Sequence, residues 1–146
     1  MINPNLMFFD KNPQLVKLRM SLIDEEVNEL REAMKNHDMT ETLDALADIL
    51  YVVYGTGISL GFSLDTAFDL VHQSNMSKVC HTEEEAKETV EWYKKYYLLG
   101  TKKLVYDTPA YKLSPDKKYW IIYNKSTGKI LKSINYKPVT FDSMLK

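Results

Sequence analysis

Cysteine is nearly absent from this 146-residue chain. With Cys80 alone no internal disulfide can form, which fits a reducing, cytoplasmic compartment. An excess of one charge is also lacking. The formal net charge is −1, so nothing marks the chain as a globally basic binder of nucleic acid. Met7, Phe8 and Phe9 are too few for a signal peptide, and Asp10 follows at once. No apolar stretch reaches membrane-spanning length, so no membrane partner is expected, and the glycosylation-type triplets at Asn75 and Asn124 carry no weight. There is no internal repeat and no low-complexity tract. What remains, with 45% hydrophobic content, is an ordinary soluble protein long enough for one real core.

The charge that is present is unevenly spread. Residues 1–80 hold 12 acids against 6 bases, and residues 81–146 hold 8 against 13. An acidic front suits a metal site; a basic tail suits anion contacts, or simply a solvated surface.

Helical punctuation dominates the first hundred residues. Asn12-Pro13 reads as an N-cap followed by proline at the first helical position, opening a helix to about Asn36. Asp38 with Glu41 resembles a capping box for a helix running to about Leu60. The middle of that helix, Ile49 to Tyr54, is apolar on every side, which predicts burial all round, in part by a partner subunit. Ser63 caps a third helix to about Cys80; Thr82 with Glu85 opens a fourth to about Leu98, which Gly100 ends. Beyond Gly100, Tyr119 to Tyr123 is aromatic and β-branched, 124–128 is turn chemistry, and Lys129 to Ile134 alternates: a β-hairpin. The expected architecture is mainly α, an antiparallel helical bundle with a small C-terminal hairpin. Residues 1–100 form the helical catalytic part, and 101–146 an extension packed on it as a single structural unit.

The acids stand where a core wants apolar residues. At 100° per residue, Leu15, Leu18, Leu22 and Ala33 share a stripe of the first long helix. Glu26 and Glu29 straddle the centre of that stripe and Glu25 lies at its edge. On the next helix Asp44 and Asp48 sit ~40° apart. Glu25 with Glu29, and Asp44 with Asp48, are i,i+4 like-charge pairs, each unfavourable in an isolated helix. A buried carboxylate must be paired, protonated or bound to metal. Apart from Arg19, two turns before Glu26, no local base neutralises them. The conflict resolves as a divalent-cation site between two antiparallel helices. All-oxygen ligands with no clustered Cys or His favour Mg²⁺, or Mn²⁺, over zinc. The bland alternative is an acidic solvated face. On the third helix Asn75 falls within a stripe of Leu64, Phe68, Val71 and Val79, with His72 and Lys78 at its margins. An amide, an imidazole and a cation there suit a phosphorylated ligand carrying a base, or a packing hydrogen bond and a snorkelling lysine.

Glu25-Glu26-Val27-Asn28-Glu29 resembles the Glu-Glu-x-x-Glu signature of the all-α nucleoside triphosphate pyrophosphohydrolases, which include MazG-like enzymes and phosphoribosyl-ATP pyrophosphohydrolase. Asp48-Ile49-Leu50-Tyr51 is similar to the segment beginning with the Asp of the companion Glu-x-x-Asp. Leu18 to Ile23, Asp44 to Gly57, His72 to Lys78 and, more loosely, Gly128 to Lys132 resemble a phage and bacterial MazG-like subgroup. One position departs. The Glu three before Asp48 is Ala45, so Asp44 is taken to substitute; Glu41 with Asp44 is a second register that fits the letters.

The resemblance implies hydrolysis of a nucleoside triphosphate to monophosphate and pyrophosphate in a homodimer or dimer of dimers. It implies Mg²⁺ held by Glu26, Glu29, Asp44 and Asp48, and Glu25 as the base. Arg19 and Lys78 are candidates for charge stabilisation, or for structural salt bridges to the acids. Asn75, His72 and Tyr51 are further substrate-contact candidates. Lys129 and Lys132 would serve if the 119–134 hairpin covers the mouth of the site; otherwise the hairpin pads the helices with Trp120 and Ile122. A phosphoribosyl-ATP pyrophosphohydrolase and a non-catalytic metal- or nucleotide-binding module remain the alternatives.

Overall fold

The computed structural model describes residues 8–98 and 106–145. The expected helix stop at Gly100 lies outside them. The chain divides by its internal contacts into two compact units, 1–68 with 141–146, and 69–140. This division groups the fourth long helix with the sheet, whereas the sequence reading grouped it with the helices before it.

The first unit is built on α1 (Phe8–Lys11), α2 (Pro13–Lys35), α3 (Met39–Leu60) and the first turns of α4 (Leu64–Met76). Asn12 does not cap α2 with its side chain. Its Nδ2 and backbone N–H both donate to the Phe8 carbonyl, closing α1 instead. Asp38 does cap α3, its Oδ1 accepting from the Glu41 N–H at 3.0 Å. Gly61, with φ of 83°, ends α3 in the left-handed conformation that glycine takes without strain. A Cβ on the buried Gly57 would collide with the Leu64 side chain, so the bare backbone there admits α4. Residues Phe141, Met144 and Leu145 lie against Phe62, Leu64 and Ala67.

Helices α2 and α3 run antiparallel along most of their lengths. Two helices cover only one face of each other. On them only Ala33, Ala45 and Gly57 are buried, and the expected all-round burial of Ile49 to Tyr54 does not occur within one chain. Leu43, Leu46, Leu50, Tyr54 and Ile58 recur at i, i+3 and i+4 on the side of α3 away from α2, and all are exposed. By length and composition α3 is also apolar enough to cross a membrane. That corrects the expectation that no stretch would be: its two aspartates lie in its first half and leave Ile49–Leu60 uncharged.

The second unit contains the rest of α4, α5 (Glu83–Leu98), and strands β1 (Pro109–Leu113), β2 (Trp120–Asn124) and β3 (Ile130–Leu131), antiparallel in the order β1-β2-β3. Ala86, Val90 and Tyr93 make one stripe of α5 and bury Cys80, Ile122 and Leu131. α4 stops at Met76, not Cys80. The reason is that Cys80 exchanges both backbone hydrogen bonds with Trp120 and is drawn to the sheet (2.9 and 2.8 Å). The hairpin β2–β3 was expected; its partner β1 was not, because Pro109 and the charged loop after it hide a five-residue strand.

Asn124, fully buried at the end of β2, organises the loops. Its side-chain Oδ1 accepts from the Thr108 N–H, and its Nδ2 lies within hydrogen-bond distance of Asp107, Ser126 and Thr127, which share its two hydrogens. Hydrogen bonds from Ser126 and Asn124 hold the Asp107 carboxyl below the usual carboxylate range. Asn124→Ala leaves those partners unsatisfied and is expected to lower stability by about 2–3 kcal/mol. Urea titration followed by tryptophan fluorescence measures it, since Trp92 and Trp120 both belong to this unit. An unchanged midpoint would show that the network contributes nothing.

Candidate functional site

The five acids come from facing stretches of α2 and α3. Glu26 is half-buried, and its Oε2 is shut off from solvent with no hydrogen-bond partner. Burial first, and then the charges of Glu29, Asp48, Glu25 and Asp44, push its carboxyl above the ordinary 4.5. Asp48 is half-buried, while Glu25, Glu29 and Asp44 are exposed. The structure therefore brings all five into one electrostatic neighbourhood. The ion pairs Lys35–Glu32, Lys87–Glu83 and Lys94–Glu91 lie elsewhere and do not engage these acids. Arg31, the nearest base in sequence, donates instead to Asn28.

An unneutralised carboxylate cluster with an orphaned buried oxygen has the donor chemistry of a hard divalent cation. Among the described residues no three Asp, Glu, His or Cys side chains stand in ready-made ligating geometry. Ala45, at the position of the missing signature Glu, is buried. Asp44, Asp48 and Tyr51 follow at i, i+4 and i+7 along one flank of α3, and Tyr51 is 81% exposed.

Arg19 lies at the far end of the same helix pair. Its Nη1 sits 3.0 Å from where a Cβ on Gly55 would be, and its Nε is buried without a partner. No salt bridge to the acids forms. Gly55, a mid-helix glycine that sequence reasoning passed over, is what lets the guanidinium lie on α3.

In the second unit Asn75 is exposed rather than buried in its helix; the buried residue is its neighbour Ser74, which donates to the Lys137 carbonyl. The helix ends one residue after Asn75, so the expected stripe does not continue through it. Lys78 Nζ donates to Asn75 Oδ1 at 2.8 Å. His72 is exposed on α4. Lys129 Nζ stands over the Tyr106 ring at 5.2 Å and Lys132 Nζ over Tyr136 at 4.2 Å.

Residues 6–75, which contain every one of these acids, match the model of the phosphoribosyl-ATP pyrophosphohydrolase family. The chain belongs to that family, within the MazG-like superfamily. It is also 33% identical to an uncharacterized protein of Acanthamoeba polyphaga mimivirus, over 94% of this chain and 86% of that one. The family is one of nucleotide pyrophosphohydrolases and is generally metal-dependent. In this pyrophosphohydrolase the matched region covers α2, α3 and nearly all of α4, and stops before the sheet.

Proposed function

We propose that this pyrophosphohydrolase cleaves a (deoxy)nucleoside triphosphate between its α- and β-phosphates, releasing the monophosphate and pyrophosphate, in nucleotide-pool sanitation or dNTP control. The observation that carries the reading is the buried, unpartnered Glu26 oxygen amid four further carboxylates. Glu26, Glu29, Asp44 and Asp48 would hold Mg²⁺ or Mn²⁺, which when bound neutralises the triphosphate and lowers the pKa of a coordinated water. Glu25, exposed at the edge of the cluster, takes the proton as water attacks the α-phosphorus and the pyrophosphate leaves. Arg19 and Lys78 offset charge on the phosphates. Asn75 contacts sugar or phosphate, Tyr51 offers a ring face to the base, and His72 and Lys129 contribute at the margins. The uncovered face of α3 pairs with a second copy, giving a homodimer or a dimer of dimers.

The family match favours a second reading, hydrolysis of phosphoribosyl-ATP, which would use the same acids. Ala45 sustains a third, a non-catalytic metal- or nucleotide-binding module. Pyrophosphate release from a panel of ribo- and deoxynucleoside triphosphates and phosphoribosyl-ATP, with Mg²⁺, separates them. Turnover of triphosphates is the expected result. Turnover of phosphoribosyl-ATP alone establishes the second reading, and no turnover of any establishes the third.

A further inference from the structure

Lys78 and Lys132, 54 positions apart, meet at one side chain that the sequence did not single out. Both ammonium groups stand over the ring of Tyr136, at 5.9 and 4.2 Å from its centroid. The frame that places them is fixed by main-chain hydrogen bonds. The Ser133 N–H donates to the Lys78 carbonyl at 2.9 Å, and the Tyr136 N–H donates to the Ser133 carbonyl at 3.0 Å. Tyr93 Oη donates to the Lys132 carbonyl at 2.9 Å, and Ser133 itself is buried and bonded to Glu85.

Two like charges thus share one aromatic ring, on segments whose backbones are tied together by hydrogen bonds. A ring quadrupole attracts each ammonium but does not neutralise the pair. Among the described residues neither lysine has a carboxylate partner. Lys78 spends one donor on Asn75, and the Lys132 ammonium stands over the Tyr136 ring. Because Asn75 Oδ1 is occupied by Lys78, its amide N–H groups are the part left to meet a ligand. Compact ammonium charges with spare donors suit the tetrahedral oxygens of phosphate, and two of them suit two linked phosphates better than a single carboxylate.

We propose that Lys78, Lys132 and the Asn75 amide, organised on Tyr136, form an anion clamp in the second unit that takes the diphosphate portion of a nucleotide. That the anion belongs to a nucleotide rests on the function proposed above; that a diphosphate binds here does not.

The test is isothermal titration of the full chain with inorganic pyrophosphate, in EDTA and ~0.15 M salt so that long-range charge is screened. Lys132→Gln is compared with Lys112→Gln, which removes the same charge from a lysine of the same unit that stands over a different ring, Tyr123. The clamp requires at least a tenfold loss of affinity in Lys132→Gln and less than a twofold loss in Lys112→Gln. Tyr136→Leu should weaken binding severalfold with helical content unchanged. Equal affinities for Lys132→Gln and wild type overturn the proposal. So do equal losses in the two lysine variants, or no binding by wild type at millimolar pyrophosphate. Triphosphate turnover by the wild type, read separately, decides the proposed function independently of these outcomes.

Discussion

Replacing Glu26 by Gln is expected to reduce turnover at least ~100-fold while making the metal-free protein more stable. The amide has the shape of the carboxylate but no charge, so it ligates a cation poorly and leaves helical content intact. Stability moves the other way for a reason visible in the apo chain. Glu26 holds a buried oxygen with no donor, and four neighbouring carboxylates repel its charge. The pH dependence follows. Because the folded-state carboxyl lies above its ordinary 4.5, the native chain binds more protons than the unfolded chain just above that value. Stability is therefore highest with Glu26 protonated and falls as pH rises through the folded-state value. Thermal melts of the wild type in EDTA should show that fall, and Glu26→Gln should lack it. Saturating Mg²⁺ should raise the wild-type melting temperature at neutral pH and leave the variant's nearly unchanged. Asp48→Asn should match Glu26→Gln in activity. Glu25→Gln should differ, keeping metal and nucleotide affinity while hydrolysing roughly 10²–10⁴-fold more slowly. Near wild-type rates in Glu26→Gln at saturating Mg²⁺ would remove Glu26 from the metal site, and loss of metal binding in Glu25→Gln would make Glu25 a ligand rather than a base.

Light scattering of the wild type at micromolar concentration should give at least twice the 17.0 kDa chain mass. Leu50→Glu should return it to the monomer. The expectation rests on α3, whose Leu43, Leu50 and Ile58 are each 60% or more exposed in the single chain. Fully burying such a side chain is worth about 1.5–3 kcal/mol, so a helix face of this kind has a strong drive to find cover. A glutamate at the centre of that face, met by its own symmetry copy, loses the apolar gain and adds repulsion. Dissociation should become ~100-fold easier or more, since each 1.4 kcal/mol is tenfold. A second copy is favoured over lipid because Asp44 and Asp48 interrupt the helix and a bilayer penalises them. Wild-type protein that remains at the chain mass, or that floats with lipid vesicles, would sink the dimer.

Elements with strong local punctuation were legible without the fold. Asp38 and Glu41 mark the start of α3, and the 124–128 turn the β2–β3 hairpin, because capping and turn chemistry act within a few residues. Helical phase also pointed to Glu26 and Asp48, which are half-buried, but Glu29 and Leu18, expected on the same stripe as Glu26, are exposed, because α3 covers a face of α2 turned away from them. What failed did so where distant chain intervened. Asn12 turned back to α1, the Cys80 backbone paired with Trp120 and cut α4 short, and β1 appeared only because β2 supplied its partner. Tertiary packing alone decided that Glu26, of five similar acids, has the orphaned oxygen. It likewise decided that Arg19 rests on Gly55 rather than on a carboxylate, and that Lys78 and Lys132 share Tyr136. Sequence spacing fixes which residues can share a helix face, but burial and partner choice depend on what the rest of the chain brings to that face.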